Sequence, residues 1–502
     1  MKKSVSILFA SLTLGLSTRA DVKLPAIFSD HMVLQRDAEV PVWGWAAPGE
    51  KVTVSIAGQT ANATAGKDGK WQVDLAPMIP GRTHTLTVQG KNTLTMKDVL
   101  IGDVWLGSGQ SNMAMKVFAS NDPEKEKTVA NYPRIRMFTV SSSTALEPQE
   151  DCRGSWAVCS PVTVGAFSAT AYFFGRELHD KLNVPIGLIN SSVGGTPIES
   201  WTSLAAQKRN KELTPLMSQL ETQVSNYNPA EEKIKFEKAL AAWEGRAAKA
   251  KAAGKKAPRK PRLAGPPMLN SAYPGALFNG KISPLVPYAL KGAIWYQGER
   301  NSGPGNAELY RHQLPLLISD WRTRWALGDF PFAWVQLPNF NAAARDWPTI
   351  RESMLLTLKT PNTGMAITID VGDPKDIHPK NKQAVGKRLA MWALGDVYKF
   401  DIATSGPLPE KLAIKDGKVT VTFDHTNGGL RAKEGELKGF EIAGADGKWH
   451  PAKASVHHEI CVVAHSDQVK DPKAIRYAWS DNPTCNLYNG AKLPASPFRL
   501  PH

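Results

Sequence analysis

The chain has 502 residues, 42% hydrophobic and 21% charged, with 15 Trp and only 4 Cys. That composition excludes overall disorder and a disulfide-built scaffold, and leaves room for roughly two to four domains. The formal net charge is +15, but Lys2, Lys3 and Arg19 supply three units of it and eight more basic residues crowd into Arg246 to Arg262, a stretch with no acid. A basic balance of this kind could attract anionic glycans, while the export signal read in residues 1–20 argues against a nucleic acid, and such a charge run is usually a solvated face or linker.

Residues 1–20 read as a signal peptide: Lys2 and Lys3, then an apolar Val5 to Leu16, then Thr18-Arg19-Ala20. No Cys sits near the cleavage point and no later run reaches transmembrane length, so the expectation is an exported, periplasmic or secreted protein with no integral membrane segment.

Residues 21–98 alternate at period two between turn signals, as in Val52-Thr53-Val54-Ser55-Ile56 and Trp71-Gln72-Val73-Asp74-Leu75, which predicts a small β-sandwich. His31 is expected to be a hydrogen-bonded structural histidine. From 99 to 400 apolar strand runs alternate with helical patterns, the α/β signature of a mainly parallel sheet. Predicted strands are 99–106, 134–140, 185–190, 290–296, 332–336 and 364–370, and predicted helices include 168–182 and 381–394. An insertion at about 203–270 interrupts them. Its core, Ala230 to Ala253, has a charged helical pattern that runs into G-K-K-A-P-R-K-P-R, expected to be a solvated excursion. Residues 401–502 return to short strands. Their five histidines (His425, His450, His457, His458, His465) have no ligand-like spacing with carboxylates, and no metal or cofactor is expected. Cys152 and Cys159 flank a loop short enough to close locally; Cys461 and Cys485 are read equally as a pair or as two buried thiols.

Ligands gather at the carboxyl ends of strands in parallel sheets, so the residues just past each strand matter most. After 99–106 comes Gly107-Ser108-Gly109-Gln110-Ser111-Asn112-Met113, a sharp strand-to-helix turn that exposes a serine hydroxyl. Met113 stands where a G-x-S-x-G elbow has its last Gly. Ser111 is either a nucleophile or a helix cap on this segment alone. After 185–190 come Gly194 and Gly195. Gln297-Gly298-Glu299-Arg300-Asn301 follows 290–296, and Asp373 to Pro379, with His378 at the mouth of a helix, follows 364–370. Serine, paired glycines, glutamine, acid and histidine on one sheet edge are the parts of acyl transfer: nucleophile, oxyanion donors, base and base-orienter.

G-Q-S-N-M, W-Y-Q-G-E-x-N and D-I-H-P resemble the blocks of the SGNH hydrolase superfamily, and more narrowly the sialate O-acetylesterase family and its relatives that deacetylate plant polysaccharides. The likeness extends from I-F-S-D-H-M-V-L-Q-R and P-V-W-G-W-A-x-P-G-E to R-Y-A-W-x-x-N-P and L-P-A-S-P-F-R. It implies an SGNH-type three-layer α/β/α hydrolase domain between an N-terminal β-sandwich and a C-terminal β-rich region. It further implies Ser111 as nucleophile, His378 as base, and an oxyanion hole of the Ser111 amide, the Gly194 amide (Gly195 less surely) and the Gln297 side chain. The superfamily's acid stands three residues before its histidine, where this chain has Lys375. Asp376 is taken as the orienter, with Asp373 or a Ser–His dyad as alternatives. Gln110, Asn112, Glu299, Arg300 and Asn301 are candidate substrate contacts. Arg300 stands where family members often carry a small residue, and reads as a substrate-carboxylate ligand or, with better odds, as the ion-pair partner of Glu299 or Glu308. The implied partner is an O-acetylated carbohydrate, either a 9-O-acetyl sialic acid or an acetylated xylan or xyloglucan. A non-catalytic glycan-binding protein is the competing class. Oligomeric state is not legible.

Overall fold

The computed structural model describes residues 21–501, so the signal-peptide expectation for residues 1–20 lies outside it. The organising element is one strand, Thr93–Gly109. Its first half pairs antiparallel with His84–Gln89, and its second half pairs parallel with Ile186–Ser192 on one side and Gly292–Tyr296 on the other. The sequence pattern predicted only 99–106. The strand is longer because it serves two sheets, passing Asp98 in a left-handed conformation (φ +55°) on the way. Asp98 is held there by Arg136, and His31 hydrogen-bonds the same carboxylate at 2.6 Å.

The main sheet runs Thr363–Ala366, Phe332–Val335, Gly292–Tyr296, Thr93–Gly109, Ile186–Ser192, Tyr132–Thr139 and Trp156–Cys159. All neighbours are parallel except the last pair. Strand side chains alternate between faces. Trp105 therefore points to one face, against Phe174 and Trp392 of helices Ala169–Leu182 and Lys382–Trp392. Trp295, three register positions on, points to the other, against Trp201 and against Trp321 of helix Asn306–Trp325. Each of these indoles is buried. The two faces thus carry separate aromatic cores, and the parallel strands send their carboxyl ends to one edge.

Ahead of this sheet, Val40–Trp45 pairs with Lys70–Leu75, while Lys51–Ile56 pairs with Gln59–Thr64 and His84–Gln89. Behind it come two four-stranded antiparallel sheets between Leu408 and Leu500. The last region braces the carboxyl edge of the sheet: Arg351, fully buried, donates to the carbonyls of Ser480 and Asp481, and Asn482 accepts from Asn339, whose own Oδ1 takes the Gly372 amide. In the insertion, helix Pro229–Ala252 has no buried residue. Its basic tail folds back on it, with Trp243 donating to the Pro258 carbonyl and Lys260 over the same indole. All four cysteines are unpaired, so the local closure read for Cys152 and Cys159 does not form, and Cys461 and Cys485 follow the free-thiol alternative. Cys152 and Cys159 are instead separate core residues, and burial pushes each thiol up to about 12.

Gly109 fixes where the central strand ends. It holds φ +135°, and a Cβ there would lie 2.2 Å from the Tyr296 carbonyl oxygen. Gly109→Ala is expected to destabilise by more than the ~1–3 kcal/mol of backbone strain alone. Gly305→Ala, at φ +77° with nothing within 4 Å, is expected to cost only that strain. Denaturant unfolding of the two variants checks the difference.

Candidate active site

Past Gly109 the chain turns through Gln110 into the short helix Ser111–Ala114. The turn is clasped from several sides. The Gln110 amide donates to the Tyr296 carbonyl at 2.9 Å. Ser168, which caps helix Ala169–Leu182, donates its hydroxyl to the Met113 carbonyl at 2.6 Å, and the Ala169 amide donates to the Met115 carbonyl at 2.8 Å. Ser111 is the first helical residue rather than the cap, a position Gln110 occupies. Its Oγ is 2.8 Å from His378 Nε2, across 267 residues of chain.

Gly194 lies directly over the serine: a Cβ on Gly194 would stand 3.4 Å from Ser111 Cβ. Among the described residues, neither the Ser111 amide nor the Gly194 amide has a hydrogen-bond partner in the turn. Two unfilled N–H groups beside a hydroxyl held by an imidazole make an arrangement suited to a tetrahedral oxyanion.

Gln297, expected as the third donor, is engaged by protein groups. It is fully buried, with Nε2 directed to Asn301 Oδ1 (2.8 Å), the Thr196 carbonyl (3.1 Å) and Gln110 Oε1 (3.2 Å), and Oε1 accepting from Tyr310 (2.9 Å). An amide has two donor hydrogens, and these three oxygens already compete for them. In this structure Gln297 braces the turn carrying Ser111 against the loop carrying Gly194. The candidate substrate contacts divide similarly. Gln110, Asn112, Glu299 and Asn301 are each no more than 3% exposed and bonded to protein groups. Asn301, for example, donates to both oxygens of Glu199 and accepts from the Ile198 amide. Only Arg300 reaches solvent. The ion pair expected with Glu299 or Glu308 is absent, since Glu308 faces Arg311 and Glu299 takes the Asn112 amide.

A cavity of about 590 Å³ opens beside Arg300, lined also by Arg345, Asn306 and, from helix Thr214–Ser225 of the insertion, Gln219 and Gln223. Neither Ser111 nor His378 lines it; its link to the serine turn is the Arg300 amide, which donates to the side chain of Gln110, the residue before Ser111.

Asp376 stands near the histidine without a firm bond to its ring. Its Oδ1 accepts the His378 main-chain amide at 2.8 Å and lies 3.7 Å from Nδ1. Asp373 instead accepts the Lys375 amide of its own loop. Burial lowers the His378 pKa below its ordinary value, with Lys382 adding to the fall and Asp376 opposing it. A neutral imidazole is thereby available as a base near neutral pH.

Lys382, Glu199 and Arg345 were not singled out from sequence. Lys382 had a readable signal, because it begins the i, i+3, i+4, i+7 stripe of Val385, Gly386 and Leu389 on the buried side of its helix. The other two are set by the loop packing around Asn301 and Ser302, which no periodicity encodes.

A serine held by a histidine at the carboxyl edge of a parallel sheet, under two unfilled amides, defines the class: a hydrolase-type α/β protein. The comparisons with known proteins narrow it. A family model described as carbohydrate esterase, sialic acid-specific acetylesterase matches residues 101–233 and 277–394. The chain is 32% identical to the sialate O-acetylesterase of Rattus norvegicus over 96% of this chain and 95% of that one. It is 31% identical to the Homo sapiens enzyme over 98% and 94%. A crystal structure of a carbohydrate acetylesterase from Xanthomonas citri superposes with a TM-score of 0.81 at 36% identity, covering 95% of this chain and 99% of that one. The chain belongs to the sialic acid-specific acetylesterase family of carbohydrate esterases, and is a carboxylic ester hydrolase.

Removing Asp376's charge takes away the one influence that raises the His378 pKa. Asp376→Asn is therefore expected to move the acidic limb of kcat/KM to lower pH and to cost no more than about tenfold in kcat, against about 10²–10⁴ for His378→Ala, the usual value of a general base. A pH–rate series on an activated acetyl ester checks both.

Proposed function

We propose that this protein is a serine O-acetylesterase of O-acetylated carbohydrates, acting through an acetyl-enzyme on Ser111. The observation that carries the reading is the 2.8 Å bond from Ser111 Oγ to His378 Nε2 beneath the Gly194 loop. In this mechanism Oγ attacks the acetyl carbonyl carbon while Nε2 takes its proton. The tetrahedral oxyanion is received by the Ser111 and Gly194 amides, and collapse expels the sugar oxygen, which takes the proton back from Nε2. A water then enters, gives its proton to Nε2 and attacks the acyl carbon, and acetate leaves with Ser111 restored. Asp376 assists through charge and through the main chain of His378 rather than as a tightly bound third member. The sheet with helices on both faces supports an SGNH-type three-layer hydrolase at about 99–400, flanked by β regions at 21–98 and 401–502. The signal-peptide pattern read in residues 1–20 supports a periplasmic or secreted site of action.

Among substrates, the reading favours an acidic sugar of the sialic acid type. Arg300 is exposed at the cavity rim with no carboxylate on its guanidinium among the described residues, and Arg345 lines the same cavity. A guanidinium is the natural fork for a sugar carboxylate. Acetylated hemicellulose, which carries its acetyl groups on neutral sugars, gains nothing from it.

Release of acetate from 4-nitrophenyl acetate should fall by at least about 10³ in Ser111→Ala, and equal rates in the two proteins would contradict the serine mechanism. Arg300→Ala should raise KM about tenfold for a 9-O-acetyl sialoside, the loss of one charge-assisted contact, with acetylated xylan unchanged. A loss equal on both substrates would reject the carboxylate role.

A further inference from the structure

Beneath the Ser111–His378 pair lies a buried polar column that the acyl-transfer steps do not use. Lys382 is fully buried at the start of helix Lys382–Trp392. Its ammonium donates to Asn112 Oδ1 at 2.6 Å and to the Pro379 carbonyl at 2.7 Å, and lies 5.3 Å from the ring centre of Tyr296. The Asn112 amide donates in turn to Glu299 Oε1 at 2.6 Å and to the Ile377 carbonyl at 2.9 Å. Glu299 is 2% exposed, and its Oε2 has no hydrogen-bond partner among the described residues. Cation, amide and carboxylate therefore join three strand ends: the turn bearing the nucleophile, the turn after Gly292–Tyr296, and the segment bearing the histidine.

Two buried charges are an expensive way to fill a core, and hydrophobic residues of similar volume would usually do as well for stability. What the charges provide is direction. An ammonium only donates and a carboxylate only accepts, so Asn112 is held with its oxygen toward Lys382 and its nitrogen toward Glu299. Only in that orientation can its second N–H reach the Ile377 carbonyl, one residue before His378. A neutral pair would leave the amide free to turn over. Asn112 also follows Ser111 directly, so the same side chain registers the hydroxyl against the imidazole.

We propose that Lys382 and Glu299 are positioning residues of the reaction, acting through Asn112 to clamp the His378 segment onto the Ser111 turn. The clamp rests on the reading of Ser111 and His378 as the reacting pair. It takes over the orienting task that Asp376, 3.7 Å from the ring nitrogen, performs weakly. The groups acting on this column are few. Glu299 and Asp376 favour the charged form of Lys382 against burial, which brings its pKa down to about 7, while Lys382 and Asp376 act oppositely on His378. Arg345 and Lys382 favour the ionised form of Glu299, whose pKa burial raises.

The test measures kcat, KM, the pH dependence of kcat/KM and the thermal midpoint on 4-nitrophenyl acetate for wild type, Ser111→Ala, Glu299→Gln, Lys382→Met and the Glu299→Gln/Lys382→Met double variant. Glu299→Gln keeps the shape and an acceptor but loses the charge. It should lower kcat about ten- to a hundredfold, the scale of a small misplacement of reacting groups, with KM nearly unchanged. Lys382→Met should move the acidic limb to higher pH, because its charge no longer holds the His378 pKa down, a shift that a purely structural role would not produce. The double variant should be no slower than the slower single, as expected of residues acting as one unit. Folded single variants with wild-type kcat and an unmoved limb, or losses that simply multiply, would overturn the clamp. Where Lys382→Met fails to fold, the kcat of the isosteric Glu299→Gln decides alone. An inactive Ser111→Ala beside unaffected clamp variants sinks only the clamp, whereas an active Ser111→Ala sinks the serine reading on which it rests.

Discussion

The proposed chemistry at the carboxyl edge of the sheet depends on one contact between distant parts of the chain, the 2.8 Å bond from Ser111 to His378. Neither partner sits on a strand. Ser111 lies just beyond the long central strand, and His378 lies 12 residues past the end of Thr363–Ala366, in a stretch with little regular structure. Loops of that kind have many conformations to lose. The fold answers with bracing rather than with a longer strand: Asn339 and Asn482 hold Gly372, the Asn112 amide holds Ile377, and Asn381 caps the helix that begins at Lys382. The bond is the point where these separate constraints meet.

The same logic explains why polar residues in the signature segments are so deeply buried. Gln110, Asn112, Gln297, Glu299 and Asn301 look from their composition like a substrate-facing array, yet each is spent on another part of the protein. Gln297 and Asn301 brace the loop of Gly194 and Ile198, and Asn112 braces the histidine segment. Buried polar groups are costly unless bonded, and apart from Glu299 Oε2, which has no partner among the described residues, these side chains are held by hydrogen bonds that fix a single geometry. On the proposed mechanism the reacting surface that remains is small: a hydroxyl, an imidazole, two amides and, toward the cavity, Arg300. Such an economy is consistent with preorganisation, in which dipoles are already aimed before charge develops.

Much of this was legible in the sequence. The alternation of strands and helices put all six predicted parallel strands in the sheet, because buried parallel strands read as apolar runs whatever their neighbours. The meeting of residues 111 and 378 was readable from the polar segments at the carboxyl ends of the strands. Three things were not. The length of Thr93–Gly109 was hidden because half of it belongs to a different sheet with a different burial pattern. The burial of Gln297 and Asn301 was hidden because polarity signals exposure only where no network claims the side chain. The state of the cysteines was open because spacing in sequence says little about whether two thiols meet in the fold.

The central claim is that Ser111 is made reactive by His378, so the most direct measurement is where an acyl-mimicking phosphonate reacts. Wild-type protein treated with a fluorophosphonate and mapped by peptide mass spectrometry should carry one adduct, on the peptide containing Ser111, and His378→Ala should carry almost none under the same conditions. An active enzyme that takes up no label at Ser111, or that labels as fast without the imidazole, would contradict the account.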